Sequence, residues 1–152
     1  MYRVLIADDD AIIRRGLKKT IDWESYGMEI VGIACDGQEA LAMLKELAPH
    51  LLLTDIKMPQ MSGIELMKEA RRLYPDIQVI LLTAYEDFEY AKEAIKHKAC
   101  DYLLKPLAKE ELLESVLNTK RQFESRMRDT HRKNKSIPLL SRQFINDLMA
   151  GY

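Results

Sequence analysis

The strongest constraint on this chain is an alternation along its length. Short apolar runs at Tyr2–Ala7, Met28–Ala34, Leu51–Thr54, Ile77–Leu82 and Ala99–Leu104 read as strands. Stretches of helical period separate them. Ala11–Ile21 places Ile12, Ile13, Leu17 and Ile21 on roughly one helical face, and Gly37–Ala48 has Ala40, Leu41, Leu44 and Ala48 as a buried stripe. Ser62–Tyr74 opens with Ser62 as N-cap, has Glu65 three residues on to complete a capping box, and stops at Pro75. Asp22–Gly27 reads as a turn, and Glu86–His97 as a fourth helix with Phe88, Ala91 and Ile95 in its core. Pro106 then opens a long helix from about Lys109. The order is βαβαβαβαβα. Strands this short with so little polar alternation are buried on both faces, which means a parallel sheet covered by helices. Right-handed crossovers leave few topologies for five such strands. In a doubly wound sheet ligands bind outside the C-terminal strand ends, beside the point where the strand order reverses.

A length of 152 residues suits one domain with a short appendage. At that size roughly two thirds of the chain's surface can be buried, enough for a core without staples. The 47% apolar and 31% charged content argues against a disordered chain. No apolar run approaches the ~20 residues of a membrane span, and the N-terminus leads straight into a strand, so no membrane role and a cytoplasmic location are expected. Cys35 and Cys100 are too few for a disulfide framework and are not spaced for zinc. Charge is uneven. Residues 1–117 hold 15 Lys/Arg against 21 Asp/Glu, whereas residues 118–135 hold 7 against 2. The basic stretch reads as a solvated helix face or linker, since no aromatic or base-reading pattern accompanies it.

The strand ends carry the chemistry. Asp8, Asp9 and Asp10 follow the first strand, Asp55 the third, Thr83 and Ala84 the fourth, and Lys105 with Pro106 the fifth. Each has an ordinary reading: Asp10 as an N-cap, Thr83 as a β-former, Lys-Pro as a turn. Their convergence on one rim does not. Two carboxylates ~4 Å apart repel by about 4 kcal/mol at an effective dielectric of 20, so clustering them costs stability unless a cation lies between. Hard oxygen ligands suit Mg²⁺, which takes one or two carboxylates and keeps waters, leaving room for a phosphoryl group. Lys105 and the Thr83 hydroxyl are natural partners for phosphoryl oxygens.

These residues resemble those of the receiver domain of two-component response regulators. The resemblance is carried by Val4-Leu5-Ile6-Ala7-Asp8-Asp9-Asp10, by Leu53-Thr54-Asp55-Ile56-Lys57-Met58-Pro59 with Gly63, by Leu82-Thr83-Ala84, and by Tyr102-Leu103-Leu104-Lys105-Pro106. It covers about residues 1–120, and the motifs occur in order. It implies a flavodoxin-like five-stranded sheet of order 2-1-3-4-5, which would hold Cys35 and Cys100 far apart. It also implies a cis peptide bond before Pro106. Asp55 would be the phosphoacceptor for a sensor histidine kinase. Asp9, Asp55 and the backbone carbonyl of Lys57 would ligate Mg²⁺, with Asp8 acting through water. Lys105 would contact the phosphoryl group, Thr83 and Tyr102 would form the switch pair, and Lys57 and Tyr85 would tune dephosphorylation. Such a chain is a phosphoacceptor with at most slow autodephosphorylation, not an enzyme.

Tyr85-Glu86-Asp87-Phe88-Glu89-Tyr90-Ala91-Lys92 is similar to receivers fused to AraC-type helix-turn-helix domains, and the tail Pro138–Gly151 resembles the segment that follows such receivers. The expected division is a receiver at 1–120 and a helical extension at 121–152. DNA would be reached only through a domain outside this chain. Leu113, Val116, Lys120, Phe123, Met127 and Thr130 follow a 3–4 repeat too short for a convincing coiled coil. Leu112, Leu113, Val116 and Leu117 would cover the sheet. After Ser136-Ile137-Pro138, a second helix would present Leu140, Phe144, Ile145 and Leu148. A homodimer would form through the C-terminal helices or through the face made by the fourth helix, fifth strand and fifth helix. Two other readings compete. One is a stand-alone receiver acting by protein contact. The other is an aspartate-nucleophile phosphohydrolase of the haloacid-dehalogenase type, with Asp8 and Asp10 as its pair and no role for Asp55. A flavodoxin-like nucleotide binder fits least, since no Gly-rich phosphate loop follows the first strand.

Overall fold

The structure is a computed structural model that describes residues 1–84, 89, 92 and 101–135, with side chains up to Arg128. Five parallel strands form one sheet in the order β2-β1-β3-β4-β5. They are β1 (Tyr2–Ala7), β2 (Met28–Ala34), β3 (Leu51–Asp55), β4 (Gln78–Thr83) and β5 (Asp101–Leu104). The described helices are α1 (Ala11–Thr20), α2 (Gly37–Leu47), α3 (Gly63–Leu73) and α4 (Lys109–Lys135), with a 3-10 turn at Trp23–Tyr26. The chain divides into two compact units, Met1–Thr119 and Lys120–Tyr152. Apart from Glu89 and Lys92, which are helical, the predicted Glu86–His97 helix lies outside the described residues, as do Tyr85, Cys100 and the Pro138–Gly151 tail.

Every residue of β3 and β4 is buried, as unalternating strands require. Leu5, Ala7, Leu52, Val79 and Leu81 share one core with Ala40 and Leu44 of α2 and Leu66, Met67 and Ala70 of α3. By strand alternation Val4, Ile6, Leu53, Ile80 and Leu82 occupy the opposite face, also fully buried. Leu17 of α1 and Leu112 and Val116 of α4 are buried too. Leu113 and Leu117 are half-buried.

Caps fix the helix starts. Asp10 accepts from the Ile12 amide at 2.9 Å. Ser62 accepts from the Glu65 amide at 3.2 Å, but its hydroxyl donates to the Glu65 carboxylate, so Glu65 does not reach back to the Ser62 amide as a full capping box would. A second cap went unanticipated: Asp36 accepts from the Glu39 amide at 2.8 Å, while the Glu39 carboxylate reaches past the cap to the Cys35 amide at 3.3 Å. Two stripe residues depart from expectation. Ile12 is 78% exposed, since it lies in the first turn of α1, at the rim of the sheet. Ala48 is exposed because the helix ends before it, and Ala48 caps it in the left-handed region at φ 45°.

At the N-terminal strand ends His50 ties three strands together. Its backbone donates to Arg3 at 2.9 Å, its Nδ1 accepts from the Arg3 amide at 2.9 Å, and its carbonyl accepts from Gln78 at 2.9 Å. Burial, then the Arg3 and N-terminal charges, lower its pKa, which keeps Nδ1 available as an acceptor. Tyr2 stacks on this ring, and its hydroxyl donates to Thr119 Oγ1 at 3.1 Å. In the second unit Arg121, Arg126 and Arg128 are exposed, as a solvated basic helix face should be.

Candidate functional site

The parallel register sets strand ends side by side. Ala7 pairs with Thr54, Asp55 with Leu82, and Thr83 with Leu104, so the residues just beyond β1, β3, β4 and β5 emerge on one rim. Asp8 is fully buried, Asp55 is 7% exposed and Asp9 is exposed. One carboxylate oxygen from each lies within 4.8 Å of the others. Lys105 Nζ reaches in from β5, 3.0 Å from Asp8 Oδ2 and 3.3 Å from Asp55 Oδ1. The backbone holds these groups in place. Asp8 Oδ1 accepts from the Asp10 amide at 2.9 Å, and Asp55 Oδ1 from the Ile56 amide at 2.9 Å. The Lys105 amide donates to the Thr83 carbonyl at 2.8 Å, and the Lys105–Pro106 bond is cis.

Burial first, and the Asp8 charge second, push the Asp55 pKa up from 3.8 to about 6, with Lys105 and the Ile56 amide pulling the other way. Burial alone would lower the Lys105 pKa; its hydrogen bond to Asp8 and the charges of Asp55 and Asp8 outweigh this and raise it. One ammonium therefore leaves the three carboxylates short of positive charge. An all-oxygen donor set this close and this under-compensated fits a hard divalent cation.

The other predicted site residues fall around this cluster. Thr83 is fully buried, and its hydroxyl donates to the Ala84 carbonyl at 3.0 Å. Tyr102 is half-buried and packs against the core shared with α2 and α3. Lys57 stands exposed in the loop after β3. Two contributors were not foreseen. Arg14 Nη1 donates to the Asp8 carbonyl at 2.8 Å, and its only sequence signal is a basic residue one turn beyond the Asp10 cap. Gly37 was placed only as the first residue of a helix, yet it meets the β3–α3 loop in space. Beside the rim, Ile12, Gly16 and Leu17 of α1 line an apolar groove with Pro106, Leu107 and Leu112.

A parallel five-stranded sheet with an acidic triad and a lysine on its C-terminal rim defines a class, the flavodoxin-like receiver architecture. The response regulator receiver domain model matches residues 4–117, and the chain belongs to that family. It is 37% identical to the uncharacterized transcriptional regulatory protein YesN of Bacillus subtilis strain 168, over 99% of this chain and 43% of that protein. It is 45% identical to the transcriptional regulatory protein HptR of Staphylococcus aureus strain NCTC 8325, over 70% of this chain and 42% of that one. The chain thus spans about two fifths of the length of these curated relatives. Among solved structures, it resembles the receiver domain of AraT, a response regulator from Geobacillus stearothermophilus, at TM-score 0.80 and 44% identity, covering 83% of this chain and 98% of that one. A two component transcriptional regulator AraC from Clostridium phytofermentans ISDg aligns at TM-score 0.76 and 36% identity, over 81% and 95% of the two chains.

Proposed function

We propose that this receiver accepts a phosphoryl group on Asp55 from a histidine kinase, with Mg²⁺ bound by Asp9, Asp55 and the Lys57 carbonyl and Asp8 acting through water. The observation that carries the reading is Asp55 itself, joined to Asp8 through the shared Lys105 ammonium on the acidic rim and, at 7% exposure, less deeply buried than Asp8. In the transfer an Asp55 oxygen attacks phosphorus, the P–N bond to the donor imidazole breaks, and the imidazole keeps the electron pair and takes a proton from water. Lys105, already within ion-pair distance of Asp55, can follow charge as it spreads over the phosphoryl oxygens. The bound metal supplies the remaining positive charge. Asp8 is a poor nucleophile by comparison, being fully buried and engaged by Lys105 and the Asp10 amide. That weighs against a phosphohydrolase built on β1.

Acylphosphate formation then biases a two-state element. Thr83 gives up the Ala84 carbonyl for a phosphoryl oxygen, and Tyr102 turns inward into the space released. The apolar groove beside the β5–α4 turn, with Ile12 at its lip, offers the histidine kinase an apolar surface to dock against. The relatives' names and greater length support a transcriptional output, reached through an AraC-type DNA-binding domain beyond this chain. The protein is a phosphoacceptor, not a turnover enzyme, and a homodimer through the C-terminal helices or the β5–α4 side would relay its state. Acetyl phosphate with Mg²⁺ should add one acid-labile phosphoryl group to the wild type and none to Asp55→Asn. Labelling that survives in that variant would overturn the assignment.

A further inference from the structure

We infer that the first turn of α2 positions the metal-binding loop, and that Gly37 is the residue through which it does so. The inference rests on the Mg²⁺ phosphoacceptor reading above.

The loop from Ile56 to Ser62 joins β3 to α3 and carries Lys57. It is pinned at two points. At its far end the Gly63 amide donates to the Ile56 carbonyl at 2.7 Å, and a Cβ on Gly63 would lie 2.0 Å from the Asp55 carbonyl oxygen. The loop thus closes back on the backbone of the phosphoacceptor itself. The second point is Met61. A Cβ on Gly37 would lie 2.3 Å from the Met61 carbonyl oxygen and 2.6 Å from its Cβ. These are backbone and near-backbone atoms, which no side-chain rotation can withdraw. The bare Cα of Gly37 therefore serves close approach of α2 to the loop.

Between the two points the loop turns sharply. The Met61 amide donates to the Pro59 carbonyl at 2.9 Å, and Gln60 takes a φ of 75°. A chain this tightly folded has little freedom to absorb a shift at Met61 before it reaches Lys57. Gly37 touches neither Asp55 nor the metal. It acts through the loop, as outer-shell groups do when they orient a ligand.

The test is a calorimetric Mg²⁺ titration of the full chain, with thermal melts to establish folding. Gly37→Ala should bind Mg²⁺ about tenfold more weakly, the lower end of the range for outer-shell substitutions. Asp36→Ala removes the helix cap without adding a clash; it should lower the melting temperature and leave Mg²⁺ affinity at the wild-type value. A folded Gly37→Ala variant with wild-type affinity would overturn the inference, and so would an Asp36→Ala variant weakened as much as Gly37→Ala. Should Gly37→Ala fail to melt cooperatively, Met61→Gly decides. It removes the side-chain half of the contact and adds no clash, so weaker binding supports the inference and unchanged binding overturns it. Absence of Mg²⁺ binding by the wild type would instead sink the metal reading on which the inference stands.

Discussion

Above pH 6 Asp55 is ionised in both folded and unfolded chains, and the folded state bears the cost of a buried carboxylate beside Asp8. As pH falls through about 6 the folded protein takes up the proton first and the cost is relieved; by the ordinary value of 3.8 it is gone. The shift corresponds to ~3 kcal/mol at most, at 1.36 kcal/mol per unit. In EDTA, Asp55→Asn should therefore be more stable than wild type by about 1–3 kcal/mol at pH 7.5, with the gain shrinking between pH 6 and 4. Urea denaturation across that range checks it, and a gain independent of pH would show that ionisation of Asp55 is not its source. Lys57 lies exposed in the loop after β3, and the receiver resemblance implies that it would tune dephosphorylation. Lys57→Asn should shorten the half-life of the phosphorylated protein severalfold, measured by loss of label after donor removal. The residues of this site were legible because each one ends a strand, and the architecture gathers strand ends. The pairing of Lys105 with both Asp8 and Asp55 was not legible, since it depends on depth and reach. Nor was the role of Gly37, because nothing along the chain announces which distant backbone a glycine will meet.

Among the elements, the strands were read most closely, because their runs are apolar throughout and the sheet buries both faces. Helix stripes were read less well. Period alone put Ile12 with Leu17 and Ile21, but the first turn of α1 rises past the sheet and leaves Ile12 in solvent. The Asp22–Gly27 turn proved to contain a 3-10 turn, held by the Trp23 indole donating to the Leu17 carbonyl at 3.1 Å and closed by Gly27 at φ 74°. Periodicity cannot anticipate an element one turn long. Gly16 sits inside α1 with nothing within 4 Å of a would-be Cβ. Gly16→Ala should accordingly stabilise the protein by ~0.5–1 kcal/mol, the usual helix preference for alanine, read as a rise in melting temperature. Ile12→Asp tests the groove. Labelling by acetyl phosphate should be unchanged while transfer from the partner kinase slows; equal slowing of both would mean that the site itself had been disturbed.

For the whole molecule, the boundary after Thr119 marks where core burial ends and the solvated basic helix begins. A chain ending after Lys120 keeps the Tyr2–Thr119 hydrogen bond and should melt cooperatively near the wild-type temperature. One ending after Val116 loses Thr119 and the half-buried Leu117, and should be less stable by about 1–2 kcal/mol. Light scattering over a range of concentrations should give a monomer for the chain ending after Lys120 and a growing mass for the full chain, if the helical extension pairs copies. Equal masses for the two would place any self-association elsewhere. The reach of the Tyr2 hydroxyl to Thr119 has a topological consequence as well. Residues 117 positions apart, at opposite ends of the first unit, are in contact through a buried hydrogen bond, so its start and its finish lie side by side. A receiver of this shape can be spliced into a host loop, or reconnected by a short glycine-rich bridge and reopened at the exposed Pro75-Asp76 turn, with its sheet order intact. Such a circular permutant should refold and still take up a phosphoryl group.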